Sequence, residues 1–363
     1  MTEPDRAATP PDKDEVEVVL LGPGYGESVV LHTGHGGWVI VDSCINTEGQ
    51  PRALEYLESV GVDPAQRVDL IVATHWHDDH IRGMARLVEV CSQAEFCCAS
   101  ALLTEEFLAA ADALEARHLS ADGSGVRELH RVFTWLESKA SPPTFAAANR
   151  RIHLRNQCEI WSLSPGDAAV RDFLRSVGSL LPAPGRTKAR VPSVSPNDLS
   201  VVLWIAIGNL ALLLGSDLEA RGWLAILDSE ERPAGKASLF KVPHHGSADA
   251  YEPQVWRQML DRDPFAVLTP WQRGIRSLPS RSDVQRILAH TRHAYSTSSG
   301  RLRSRSRRRG SMVDRSIRGA GIRVRRLEMR APAIRLRCPI GSEDRWRVQT
   351  FGTACHLEEF SGP

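Results

Sequence analysis

The sequence lacks any apolar run long enough to cross a membrane. Its longest apolar stretch, Leu199 to Leu214, is interrupted by Gly208 and Asn209, whereas a membrane-spanning helix needs about 20 apolar residues. The first residues, Met1 to Asp14, are rich in Pro and Asp and have no apolar centre, unlike a secretory signal peptide. We therefore expect a protein that does not associate with membranes.

Disulfide frameworks and strong overall charge are also missing. The 363 residues include seven cysteines, an odd number, and no two of them are spaced as Cys-x-x-Cys. Scattered cysteines in a chain of this size favour buried free thiols, which suit a reducing compartment, so we expect a cytoplasmic location. The formal net charge is only +1, so the charge of the whole chain indicates no particular partner.

Composition divides the chain into three parts. Residues 1–14 are predicted to be disordered, residues 15–295 to form the main domain, and residues 296–363 to form a basic extension with short strands. The main part alternates apolar strands with helical segments: the strand Val68 to Ala73 precedes a predicted helix from Ile81 to Val90. This alternation indicates an α/β protein, in which functional residues usually follow the carboxyl ends of strands.

The densest polar cluster directly follows that buried strand. Three histidines and two aspartates occur within six residues, His75-Trp76-His77-Asp78-Asp79-His80. Two histidines two residues apart at a strand end can direct both imidazoles at one metal ion, while Asp79 and His80 turn toward a second position. Imidazole and carboxylate ligands together suit zinc and related metals. A polar surface loop is the alternative interpretation, but the buried strand before the cluster argues against it.

These residues resemble the H-x-H-x-D-H signature of the metallo-β-lactamase superfamily. Asp42, after Trp38 to Val41, resembles the aspartate that supports the metal-binding loop, and Asp217 resembles the aspartate that bridges two metals. The resemblance implies a four-layer αββα sandwich with an Arg-rich C-terminal extension, and one or two ions of Zn²⁺ or Mn²⁺. The metal ligands that it implies are His75, His77, Asp79, His80, Asp217 and His245.

Two further stretches are similar to one branch of that superfamily, the ComEC type. These are the nuclease-like domains of DNA-uptake channel proteins and their soluble relatives. The stretches are Gly22-Pro23-Gly24-Tyr25-Gly26-Glu27-Ser28, before an apolar strand, and Lys241-Val242-Pro243-His244-His245-Gly246-Ser247. The tetrapeptide Asn197-Asp198-Leu199-Ser200 also looks like that branch.

Two features of the metal ligands stay open at this point. The superfamily often supplies a third histidine for the first metal, for which His118, His130 and His153 are the candidates, yet none lies in a recognisable motif. The ComEC-type branch often lacks this histidine. Either His244 or His245 is expected to bind metal, while the other orients the substrate or donates a proton.

The resemblance implies hydrolysis by a metal-bound hydroxide, which exists near neutral pH because the metal lowers the pKa of its water. Asp79 or the non-ligating histidine would transfer the proton, and Lys241 would offset the developing negative charge. The predicted catalytic residues are therefore Asp79, Asp217, His244 and Lys241. Metal chemistry of this kind does not by itself select a substrate.

An Arg-rich segment favours nucleic acid as the substrate. Residues 301–337 contain 14 Arg against one Asp and one Glu, so their charge is 14 − 2 = +12, and Arg pairs well with phosphate. The expected phosphate-binding residues are Arg301, Arg303, Arg305, Arg307, Arg308 and Arg309. A solvated loop is the alternative interpretation of this segment. Alternative functions are hydrolysis of a lactone, thioester or nucleotide, and a regulatory subunit with a degenerate site that binds a protein partner or a second copy.

Overall fold

The computed structural model describes residues 9–22, 26–103, 125–178, 196–273, 276–300, 331–342 and 346–361. The first of two eight-stranded sheets has the order β17-β16-β1-β2-β3-β4-β5-β6. Its strands are β1 (Glu15–Leu21), β2 (Ser28–Thr33), β3 (Trp38–Val41), β4 (Val68–Ala73), β5 (Glu95–Ala99), β6 (Thr144–Ala146), β16 (Ala333–Pro339) and β17 (Arg347–Phe351).

The second eight-stranded sheet has the order β18-β15-β12-β11-β10-β9-β8-β7. Its strands are β7 (Arg150–Arg155), β8 (Cys158–Ser162), β9 (Leu203–Ile207), β10 (Leu210–Leu214), β11 (Ala237–Lys241), β12 (Leu260–Leu268), β15 (His293–Ser296) and β18 (Cys355–His356). A separate two-stranded sheet pairs β13 (Trp271–Arg273) with β14 (Arg276–Leu278).

Helices flank both sheets. The α-helices in the described residues are Arg52–Ser59, Pro64–Arg67, Asp78–Ile81, Met84–Val90, Gly125–Ser138, Asp167–Gly178, Ala220–Leu227, Pro253–Gln258 and Arg281–Leu288. Short 3₁₀ segments cover Ser100–Leu103, Pro196–Leu199, His244–Gly246, Ala248–Ala250 and Leu357–Glu359. None of the helices in these described ranges is long and apolar enough to cross a membrane.

Alternating side chains of the second sheet place it between two apolar layers. In β9, Leu203, Ile205 and Ile207 join the larger core cluster, whereas Trp204 joins a second cluster with helix residues such as Trp223. Because successive side chains of a strand point to opposite faces, one face packs on the first sheet and the other on helices. The predicted αββα sandwich is therefore confirmed.

The helix predicted from Ile81 to Val90 is divided in the structure. One helix ends at Ile81 and the next begins at Met84. Between them Gly83 has a φ of 82°, and a Cβ there would lie 2.7 Å from Ile45. Glycine tolerates this left-handed conformation and close approach. The His75–His80 cluster and the helix Met84–Val90 are thus separate elements.

The described part of the C-terminal segment supplies strands to both sheets. Strand β16 pairs antiparallel with the whole of β1, from Glu15 opposite Pro339 to Leu21 opposite Ala333. Strand β18 pairs with β15 in the second sheet. Although Arg335 and Arg337 belong to the Arg-rich segment, Arg335 is only 1% exposed, and Arg337 donates a hydrogen bond to Glu17. Arg335 and Arg337, which the composition placed in a basic segment, are thus part of the folded sheet.

The buried carboxylate of Glu17 allows a test of this attachment. Glu17 also accepts a hydrogen bond from Tyr56 and lies 4.0 Å from the Nε atom of Arg335. In Glu17→Ala, Arg335 and Arg337 lose a buried acceptor, while Arg337 keeps Glu15 at 3.7 Å and Arg335 keeps Gln349 at 3.0 Å. We therefore expect this substitution to lower the free energy of unfolding by about 1–3 kcal/mol. Urea denaturation followed by circular dichroism would measure this loss.

The matched control is Glu89→Ala, which removes the partner of Arg86 in an exposed ion pair. Such pairs contribute about 0–1 kcal/mol. Equal effects of the two substitutions would contradict a stabilising role of Glu17.

Candidate metal centre

The candidate ligands follow the carboxyl ends of strands from both sheets. Asp42 follows β3 and His75 follows β4 in the first sheet, whereas Asp217 follows β10 and His245 follows β11 in the second. Strands β3 and β4 run parallel, as do β10 and β11, so each pair ends at one edge of its sheet. The backbone N–H of Val201 donates to Thr74 O at 3.1 Å and joins the two sheets at that edge.

The first ligand group contains His75, His77 and Asp217. One possible ligand atom from each residue lies within 4.8 Å of the others. His75 Nε2 is 3.1 Å from His77 Nδ1 and 3.9 Å from Asp217 Oδ2. The spacing of two histidines at a strand end thus does bring both imidazoles to one point.

The second ligand group contains Asp79, His80 and His245. His245 Nε2 is 3.4 Å from Asp79 Oδ2 and 3.7 Å from Asp217 Oδ2, while His80 Nε2 is 3.3 Å from Asp217 Oδ2. Asp217 therefore contacts residues of both groups with the same oxygen. A third set, Glu27, His80 and Asp217, also has ligand atoms within 4.8 Å of one another, but Glu27 forms an ion pair with Lys241. The first two groups, both in contact with Asp217, can hold two metal ions.

Hydrogen bonds at Nδ1 orient three imidazole rings so that their Nε2 atoms point toward the centre. His245 Nδ1 lies 2.9 Å from Thr269 O, and a carbonyl only accepts, so Nδ1 carries the proton. His80 Nδ1 is 2.7 Å from Asp42 Oδ2. His75 Nδ1 is 3.0 Å from Thr74 Oγ1, which itself donates to Asp42. Partners of this kind fix the orientation of metal-binding histidines.

Asp42 thereby supports the loop instead of entering either three-ligand group. Its Oδ1 accepts the backbone N–H of Thr74 at 2.8 Å and its Oδ2 accepts from the Thr74 hydroxyl at 2.8 Å. Asp42 itself has a φ of 61°, and His244 and His245 have φ values of 46° and 56°. Left-handed non-glycine residues cost energy and tend to occur at functional sites.

His244 points to a different environment from its neighbour His245. Its Nε2 lies 3.5 Å from Asn197 Nδ2 and its Nδ1 lies 4.0 Å from Glu219 Oε1. Asn197 donates a second hydrogen bond to Glu219 at 3.0 Å. Within the described part of the chain His245 belongs to a ligand group and His244 does not. The geometry therefore favours His245 as the ligand and leaves His244 beside the centre.

Lys241 is buried beside the candidate metal ligands, with only 3% of its side chain exposed. Its Nζ forms an ion pair with Glu27, donates to Ser216 O at 3.0 Å, and lies 3.8 Å from Asp217 Oδ1. The ammonium group of Lys241 therefore faces Asp217 and Glu27 rather than a substrate. The sequence analysis had instead predicted that Lys241 offsets the negative charge that develops during hydrolysis. The sequence analysis also missed Glu27, although it lies in the glycine-rich stretch that was singled out.

The charges of these buried side chains compensate one another. Burial lowers the pKa of His80, but Asp217 and Asp42 outweigh burial and hold that pKa well above its usual range. Burial raises the pKa of Asp217, but His80, His245 and Lys241 reverse this and keep it well below its ordinary value. Burial and the neighbouring His80 hold the pKa of His75 well below its usual range. A bound cation would replace only the Nε2 protons of His80 and His245, because a metal-binding nitrogen must be deprotonated.

An unpartnered buried atom fits a metal at this place. Among the described residues, the Nε2 atom of His80 is buried at the centre without a hydrogen-bond partner. Such atoms are rare in folded proteins and indicate an ion, water or ligand. Imidazole nitrogens with carboxylate oxygens are suitable donors for zinc. The residues present therefore fit one or two divalent metal ions.

The other predicted positions lie elsewhere. His153 lines a cavity with Asp69 and Glu95, at the opposite end of the strands, and His130 lies on the helix Gly125–Ser138. Neither belongs to a ligand group among the described residues. His118 lies outside the described residues, as do the arginines predicted to bind phosphate, Arg301, Arg303, Arg305, Arg307, Arg308 and Arg309.

Comparison with known proteins agrees with this geometry. Residues 21–255 match the profile of the metallo-beta-lactamase superfamily. No curated protein matches the chain. The metallo-beta-lactamase fold protein YhfI from Bacillus subtilis is 14% identical, covers 63% of this chain and 70% of its own, and has a TM-score of 0.32. Zn²⁺-bound PqqB from Methylobacterium extorquens is 13% identical, covers 61% of this chain and 60% of its own, and has a TM-score of 0.32. Likenesses this distant indicate no activity.

The two ligand groups predict a defined metal content. After dialysis against Zn²⁺ and then buffer, we expect two ions per chain by atomic absorption. His77→Ala and His245→Ala should each lose one ion. Asp217→Ala should reduce the occupancy of both sites, because Oδ2 lies within 4 Å of imidazoles in both groups. His130→Ala is the control and should retain two ions. A His245→Ala variant with two tightly bound ions would show that the second group is not a metal site.

A side chain at position 26 is predicted to disturb the metal centre. Gly26 has a φ of 104°, and a Cβ there would lie 2.0 Å from the backbone oxygen of Asp79. We expect Gly26→Ala to displace Asp79 and weaken binding of the second ion by roughly tenfold or more, measured by competition with a zinc-binding dye. Gly49→Ala is matched to it, because Gly49 also has a positive φ of 84° but no atom within 4 Å of an added Cβ.

Both glycine variants would bear the cost of a left-handed alanine, about 1–2 kcal/mol. An equal loss of zinc affinity in the two would attribute the effect to general instability and contradict this prediction.

Proposed function

Since the chain belongs to the metallo-beta-lactamase superfamily, we propose that it is a metal-dependent hydrolase that cleaves phosphodiester bonds in nucleic acid. Members of the superfamily are typically dinuclear zinc proteins. The observation that carries the hydrolase is the pair of ligand groups joined at Asp217. The choice of a phosphodiester is supported by the Arg-rich segment and by the resemblance to the ComEC-type branch.

When bound, the metal would polarise the scissile phosphoryl group and activate water. The residues that would hold it are His75, His77 and Asp217 on one side, and Asp79, His80 and His245 on the other, with Zn²⁺ or Mn²⁺ as the candidate ions. Asp42 keeps the histidine ligands oriented through Thr74 and His80. Water-excluding burial of these residues strengthens their electrostatic interactions.

His244 is the candidate proton donor for the leaving oxygen. Its side chain is 21% exposed. The Nε2 atom faces the Asn197 amide, which leaves Nδ1 to carry the proton, and this buried atom has no hydrogen-bond partner among the described residues. Asn197 and Glu219 limit the orientations of its ring. A proton donor placed beside a metal centre contributes about 10²–10⁴-fold to the rate of a hydrolysis.

The Arg-rich segment is proposed to hold the nucleic-acid backbone. Residues 301–330 carry 12 Arg against Asp314 and Glu328. Arginine binds phosphate oxygens in pairs of hydrogen bonds, and release of counterions adds a favourable term that depends on salt. A basic segment of this kind on a chain of almost neutral overall charge would place the polyanion without reading its sequence.

Cleavage of labelled single-stranded DNA, double-stranded DNA and RNA in Mn²⁺ or Zn²⁺ tests the proposal. We expect at least one of them to be cut by the unchanged protein, and the cut to be lost in His77→Ala and Asp217→Ala. His244→Gln should retain both ions but lose about 10²–10³-fold in the cleavage rate, because it removes the proton donor and not a ligand.

His130→Ala serves as the control and should cut at the unchanged rate. Absence of cleavage by protein shown to carry two ions would exclude nucleic acid among these substrates. Loss of metal in His244→Gln would instead assign that residue to the coordination shell.

A further inference from the structure

The two oxygens of Asp217 face different surroundings. Oδ2 lies 3.9 Å from His75 Nε2, 3.3 Å from His80 Nε2 and 3.7 Å from His245 Nε2. Oδ1 lies 3.8 Å from Lys241 Nζ. The Nε2 atoms of the three histidines are therefore nearest to Oδ2, and the ammonium group of Lys241 is nearest to Oδ1.

Lys241 is fixed in place by partners other than Asp217. Its Nζ forms an ion pair with Glu27 Oε1 and donates to Ser216 O at 3.0 Å. Both side chains of the ion pair are 3% exposed. A buried ammonium without a carboxylate partner would be strongly destabilising, so Glu27 is required to keep Lys241 charged in this position.

Glu27 is in turn attached to the other half of the centre. Its backbone N–H donates to Asp79 O at 2.8 Å, and Asp79 belongs to the second ligand group. Ser216, which accepts from Lys241, also accepts the backbone N–H of His244 at 3.0 Å. The Glu27–Lys241 pair is thus connected to the segments that carry Asp79, Asp217 and His245.

We propose that Glu27 and Lys241 are positioning residues that restrain Asp217, so that Oδ2 is the oxygen presented to both ligand groups. The inference rests on the metal centre proposed above, but not on the identity of the substrate. Without the ammonium, the carboxylate can rotate and place both oxygens in one of the two groups, which leaves the other group with two ligands.

Charge repulsion alone predicts the opposite change in metal affinity when Lys241 is removed. A positive charge beside two cations repels them, so removing it should tighten metal binding if charge alone matters. Restraint of Asp217 predicts weaker binding when it is removed. The direction of the change in affinity in Lys241→Met therefore distinguishes the two. In a variant that also loses the negative charge of Glu27, charge alone predicts little change, whereas loss of restraint still predicts weaker binding.

The test compares Lys241→Met, Glu27→Gln and the double variant Lys241→Met/Glu27→Gln with unchanged full-length protein. The double variant removes the ion pair without leaving a buried unpaired charge, so folding is preserved better than in either single variant. Co²⁺ is titrated into metal-free protein, and its absorption spectrum and the magnetic coupling between two bound ions are recorded. Glu17→Gln/Arg337→Met is the matched control, because it neutralises a largely buried ion pair in β1 and β16.

We expect the double variant to bind the second Co²⁺ at least tenfold more weakly, with loss of the coupling between the ions. Thermal unfolding of the metal-free control should change, but its Co²⁺ titration should not. Unchanged or tighter binding of both ions, with coupling retained, would overturn the role of Lys241 and Glu27. Failure of the unchanged protein to bind two ions would instead contradict the metal centre itself, and absence of nuclease activity would affect neither result.

Discussion

The metal centre depends on how the buried carboxylate of Asp217 is neutralised. Three imidazoles approach one of its oxygens and Lys241 approaches the other. A carboxylate buried without such partners would be protonated instead of charged. Because its partners come from β4 and β11 as well as from the loop that carries Glu27, the two sheets must meet at this edge before the site exists.

That requirement explains the arrangement of the two sheets. Parallel strands deliver their following loops to one edge, and the interlayer core holds the two edges together. The strained φ values of Asp42, His244 and His245 occur in those loops. Packing of the sheets therefore supports local conformations that the short segments would not adopt by themselves.

The adjacent histidines His244 and His245 lie in different environments, as the proposed functions of ligand and proton donor require. Thr269 fixes the proton of His245 on Nδ1 and leaves Nε2 for metal, while Asn197 and Glu219 surround His244. A metal ligand must be neutral, whereas a proton donor must hold its proton until the leaving group departs.

From the sequence, the family resemblance predicted the αββα fold class, and the H-x-H-x-D-H motif predicted most residues of the two candidate ligand groups, because a motif at a strand end is a local feature. Tertiary structure decided three points. It separated His244 from His245, it turned Lys241 toward Asp217 and Glu27, and it placed Arg335 and Arg337 inside a sheet with Glu17. Each of these three arrangements depends on contacts between residues far apart in the chain. Composition and periodicity are local properties, so they do not show which distant side chains come into contact.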